Sequence, residues 1–159
     1  MKTPAPMKTQ VTFDSDAFPP VPGDTINAPH IYGKKLAQWL AAELPAHGLA
    51  VRDCHDEDWG WEIAFENAAF PLRLGCSSME DEGFLCFITP DRPIVRPLKR
   101  LFCATRRSGY QIPSYIVRPL KRLFRATETR PAVEKLAAAL DAVLRSHPRV
   151  HNIEWQKAE

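Results

Sequence analysis

Apolar residues recur at intervals of three and four in Leu36, Trp39, Leu40 and Leu44, which places them on one face of a helix spanning 33–44. Pro45 and Gly48 mark its end. The pattern then changes period. Trp61, Ile63 and Phe65 alternate with Glu62, Ala64 and Glu66, as in a strand with one buried and one wet face. Leu72, Leu74 and Cys76 repeat the alternation against Arg73 and Gly75. A strand beginning within Leu49–Arg52 precedes them, with Asp56-Glu57-Asp58 expected as an acidic turn, and Asn67-Ala68-Ala69 reads as the next turn. Phe84 to Ile88 is apolar at every position, the signature of a central strand covered on both sides, and Pro90 and Pro93 stop it. Further on, Val133, Leu136, Ala137, Leu140, Val143 and Leu144 form an inward helical stripe behind Pro131, with Thr129 as the expected N-cap. Pro148 breaks that helix, and Val150 to Trp155 returns as a short edge strand.

Short polar turns between consecutive strands imply an antiparallel meander, with the helices together on one side of it. The expected fold is therefore α+β: about four to five strands with N-terminal and C-terminal helices on one face. Residues 1–30 carry six of the fifteen prolines and few apolar anchors, so they are expected as an extended arm that packs Phe13 or Phe18 onto a single domain over 31–159.

Between the last central strand and the C-terminal helix the pattern repeats itself. IVRPLKRLFCAT at 94–105 returns as IVRPLKRLFRAT at 116–127, with only Cys103 against Arg125 differing. Each copy places Leu, Leu and Phe on one helical face (Leu98, Leu101, Phe102; Leu120, Leu123, Phe124) and Lys and Arg on the other. A duplicated cationic amphipathic helix is expected. Near-identity of the copies points to a recent duplication, with one copy docked and the other protruding, and a chain lacking one period should still fold.

Composition is ordinary for a globular chain, but charge is unevenly placed. From Arg92 to Arg130 eleven basic residues face the single acid Glu128, a balance of +10, so that with the chain at +2 the remainder carries −8. Arg96, Lys99, Arg100, Arg106, Arg107, Arg118, Lys121, Arg122 and Arg125 are the candidate partner-binding residues of this segment. They suit an acidic protein, the chain's own acidic surface or nucleic acid phosphates. No window approaches the length of a membrane span, and no apolar leader precedes the domain, so a soluble, cytoplasmic chain is expected.

Candidate chemistry is sparse. Cys54, Cys76, Cys86 and Cys103 form no CxxC pair, and Cys54-His55 beside Asp56, Glu57 and Asp58 lacks the paired short spacings of a structural zinc site. His147 and His151 are separated by Pro148. Glycine-rich phosphate loops and GxSxG are missing, so no catalytic residue, metal or cofactor is assigned. Trp59 and Trp61 flank Gly60, and strict alternation would turn both rings to one side. That gives either an acid-rimmed aromatic patch for a partner or core packing against Trp39 or Leu136.

WGWEIAFENAAFPLRLGC followed by FLCFITPDRP and a Leu/Ala-rich helix resembles small uncharacterised bacterial proteins over about residues 13–155, apart from the inserted period. The resemblance implies a fold and a bacterial origin and brings no activity with it. The functional expectation is a small non-catalytic interaction or adaptor module. A nucleic-acid-binding protein using the basic repeat is the alternative, and a small hydrolase or thiol enzyme is third.

Overall fold

A computed structural model describes residues 7–24, 31–67, 69–79, 83–90 and 129–157. Six strands form one sheet: β1 (Lys8–Ser15), β2 (Val51–Glu57), β3 (Gly60–Phe65), β4 (Leu72–Ser78), β5 (Gly83–Pro90) and β6 (Val150–Lys157). Two helices accompany them, α1 (Lys34–Glu43), continued by a 3-10 turn at Leu44–His47, and α2 (Arg130–Ser146). The strand order is β2-β3-β4-β5-β1-β6, and every neighbouring pair is antiparallel.

β2 to β5 form the expected meander, but the sheet is wider than expected because β1 slots between β5 and β6. Lys8–Ser15 of the expected arm is extended and packs Phe13 into the core as expected, but it is a strand inside the sheet and not an arm laid over it: Val11 and Phe13 are fully buried and pair with Cys86 and Phe84 of the central strand. Phe18 joins the same core, against Trp39 and His147. The expected turn at Asp56-Glu57 is also corrected: β2 continues through Glu57, and the chain reverses at Asp58-Trp59. The duplicated basic helix expected at 94–105 and 116–127 lies outside the described residues.

One hydrophobic core fills the space between the sheet and the helices. Leu36 and Leu40 of α1, Leu136, Leu140 and Leu144 of α2, and Ile63 and Leu74 of the meander are all at 0% exposure in a single cluster. Burying each such side chain is worth about 1.5–3 kcal/mol relative to leaving it in water. α1 packs on β2 and β3, α2 packs on β1, β5 and β6, and the helices touch each other, so both lie on one face. α2 buries Ala139 where Ala137 was expected, and Thr129 makes no side-chain capping bond. Pro131 in its first turn needs no N–H partner.

The start of α1 is held from a distance. Gly33 has no side chain to cap the helix, and Asp24 performs that task across the chain. Asp24 Oδ1 accepts hydrogen bonds from the Gly33 N–H (3.0 Å), the Lys34 N–H (2.9 Å) and Nε1 of Trp61 (3.0 Å). One buried carboxylate thus ties the helix start to β3. Tyr32 and Ser78 add a reciprocal pair of backbone-directed bonds at 3.0 and 2.8 Å, fastening the same point to the end of β4. At the far edge, Trp155 Nε1 donates to Asp141 Oδ1 at 2.8 Å and secures β6 to α2.

Candidate functional site on the helix-free face

Strand alternation distributes side chains between two environments. Trp61, Ile63, Leu74, Cys76, Phe84 and Cys86 face the helices. His55, Glu62, Gly75, Phe87, Gln10 and Gln156 lie opposite one another in a row across all six strands on the other face, which neither described helix covers.

The two tryptophans illustrate the division, and the expectation that they share a side is corrected. Gly60 between them has φ +145°, a conformation that L side chains rarely adopt, and the chain enters β3 with the alternation broken. A Cβ on Gly60 would stand 2.4 Å from the Cys76 carbonyl oxygen, so close approach of two backbones also requires glycine here. Trp61 turns inward, 9% exposed, with Lys34 Nζ 5.4 Å from its ring centre. Trp59 stays on the turn, half-buried, and packs on Phe87 with ring centres 4.8 Å apart and planes at 56°. Phe87 itself leans over Gly75, where a Cβ would come 2.2 Å from the tip of its ring. The glycine creates the seat for the aromatic pair.

Beside this pair sits a charged cluster built by β2, β3 and β4. Period two puts Asp53, His55 and Glu57 of β2 on the same face, and the β2–β3 register sets His55 opposite Glu62. His55 Nδ1 lies 3.1 Å from Asp53 Oδ2, while its Nε2 lies 3.2 Å from Glu57 Oε1 and 3.6 Å from Glu62 Oε1. Arg73, diagonal to Glu62 on β4, brings Nη1 within 3.5 Å of the same Glu62 oxygen. Glu62, expected on a wet face, is only 9% exposed beneath these neighbours. Farther along the face, Thr12, Asp14, Met79, Asn152, Glu154 and Gln156 help line an open depression of about 440 Å³. Met79 there is 50% exposed.

Among the described residues, the thiols are poorly suited to attack. Cys76 and Cys86 face each other across β4 and β5, Sγ to Sγ 3.9 Å, both fully buried. The hydrogen bond shared with Cys86, followed by burial, pushes the Cys76 thiol well above its ordinary range. Burial, with the Asp53 charge adding to it, also raises the Cys54 thiol. Since the thiolate is the nucleophile, neither is activated.

Of the partner-binding residues read from sequence, Trp59 reaches this face and Trp61 belongs to the core. Arg96, Lys99, Arg100, Arg106, Arg107, Arg118, Lys121, Arg122 and Arg125 lie outside the described residues. Phe87, His55, Glu57 and Glu62 were missed as a group, because strand register and not chain spacing assembles them. No described helix is long and apolar enough to cross a membrane. Set beside known protein families, curated proteins and solved structures, the chain matches none of them.

Proposed function

We propose that the chain is a small non-catalytic interaction module whose helix-free face docks another protein. The observation that carries this reading is the Trp59–Phe87 pair, an aromatic contact seated outside the core, on the same face as the carboxylates of Asp53, Glu57 and Glu62 on β2 and β3. Aromatic anchors with a polar rim are the usual energetic centre of protein interfaces. The acid rim selects a basic partner surface, since like charges would be repelled on approach. The raised Cys54 and Cys76 thiols support a binding role over thiol catalysis. The basic segment from Arg92 to Arg130 gives the chain a second, oppositely charged region for an acidic partner or for its own acidic surface.

Quantitative affinity capture with the full chain, run beside a Trp59→Ser/Phe87→Ser variant, tests the reading. A partner with a basic contact surface should be recovered by the wild type and depleted about tenfold by a variant that keeps its thermal transition, a loss typical of interface anchors. Equal recovery would overturn the proposal. Titration with nucleic acid at two salt concentrations supplies the second arm. Tight binding that weakens steeply with salt would move the function to the basic segment and away from this face.

A further inference from the structure

The His55 cluster has the geometry of a metal site. Around a tetrahedral ion with metal–nitrogen and metal–oxygen bonds of about 2.0–2.2 Å, adjacent ligand atoms stand roughly 3.3–3.5 Å apart. His55 Nε2 lies 3.2 Å from Glu57 Oε1 and 3.6 Å from Glu62 Oε1, which brackets that spacing. The three donor atoms all fall within 4.8 Å of one another. A second feature concerns the imidazole's other nitrogen. Asp53 Oδ2 lies 3.1 Å from Nδ1, placed to accept the Nδ1–H in the tautomer whose Nε2 is free to ligate an ion between it and the two glutamates. Metal-ligating histidines are commonly held by a carboxylate in this way, which fixes the tautomer and raises the basicity of the ligating nitrogen.

The geometry points to a site for one divalent transition-metal ion of zinc type, ligated by His55 Nε2, Glu57 and Glu62 and oriented by Asp53. One imidazole with two carboxylates suits zinc better than magnesium or calcium, which favour all-oxygen shells. Asp53, Glu57 and Glu62 against Arg73 leave two negative charges for a divalent cation. Arg73 Nη1 lies 3.5 Å from the same Glu62 Oε1 that faces His55, so the guanidinium and the ion share that oxygen. β2 is an edge strand of the described sheet, and the His55 and Glu57 side chains are 37% and 40% exposed, which leaves room for water at a fourth position. The site shares Asp53, Glu57 and Glu62 with the acid rim of the proposed docking face, whereas Trp59 and Phe87 supply no ligand, so the ring variants test docking and the His55 and Glu57 variants test the ion.

Calorimetric titration of the tag-free full chain with zinc chloride should show one ion per chain. His55→Ala and Glu57→Gln should each weaken binding by at least tenfold, Asp53→Asn by about tenfold, and Glu66→Gln, on an exposed residue beyond β3, not at all. His55, Asp53 and Glu57 lie on the edge strand, so these variants should keep the wild-type thermal transition even if Glu62→Gln does not. Cobalt substitution should give a spectrum without thiolate charge transfer. Zinc binding that survives His55→Ala, a thiolate band that places the ion on Cys54, or no stoichiometric binding would each overturn the assignment.

Discussion

Across the sheet, the row Trp61, Cys76, Cys86, Val11 and Trp155 lies one residue along each strand from the row Glu62, Gly75, Phe87, Gln10 and Gln156. The first row faces the helices, and all its members belong to the core or pack against it. The second row holds a carboxylate, two amides, a glycine and one aromatic. Because side chains alternate with period two, a one-residue displacement moves a position from one chemical environment to the other. Stability is therefore concentrated on the helix-covered face, and the groups able to meet a partner or an ion are on the opposite one.

Two glycines put the comparison under the greatest strain. Gly60→Ala forces a side chain into φ +145° and against the Cys76 carbonyl, so about 4 kcal/mol of stability should be lost. Thermal unfolding should show Tm lower by roughly 8–16 °C, and a shift of less than 2–4 °C would mean that the close approach of β3 and β4 is easily relieved. Asp24→Ala comes next. It removes one acceptor from three N–H groups, two of them buried, and should cost about 2–3 kcal/mol, read as a Tm fall of about 5–10 °C.

Gly75→Ala differs from Gly60→Ala in what the new methyl meets, which is a movable ring and not a backbone atom. Stability should fall by only about 1 kcal/mol. The ring resonances of Phe87 and Trp59 should shift in an NMR spectrum while core methyl resonances stay in place; core shifts of equal size would erase the distinction between the faces.

The smallest effect belongs to Asp141. Burial pushes its carboxyl up, but hydrogen bonds from Arg145 and Trp155, with the Arg145 charge, outweigh burial and hold it below its ordinary value. A carboxyl depressed in the native state stabilises it above the unfolded pKa, about 4, and that contribution is lost as pH falls through the lower native value. Asp141→Asn should lower Tm by roughly 2 °C at pH 7, and the difference from wild type should close as pH falls through the lowered native value. A gap that persists there would assign the effect to packing and not to ionisation.

The parts of this architecture legible in the sequence were those with a local period. Trp61–Phe65, Leu72–Cys76 and Phe84–Ile88 all appear as strands, and both helices follow their apolar stripes. β1 was read as an arm because Val11 and Phe13 are its only large apolar residues and a proline cluster follows them. Its place between β5 and β6 depends on long-range pairing that no local pattern carries. The tryptophan pair was misread because alternation was extended through Gly60, where the backbone leaves the strand conformation. The charged cluster was hidden for another reason: His55 and Glu62 are brought together by hairpin register, whereas ligand motifs are recognised by short spacing along one element. Asp24 lies in a Pro/Gly-rich stretch expected only as part of the arm, and its role emerges when α1 and Trp61 arrive beside it.

The most direct test of the division between faces is a paired measurement of thermal stability for Trp61→Ala and Trp59→Ala. Removing the core ring should cost about 3–5 kcal/mol and lower Tm by about 6–20 °C, while removing the ring on the face that neither described helix covers should cost about 1 kcal/mol and only a few degrees. Equal losses, or a larger loss from Trp59→Ala, would contradict the account.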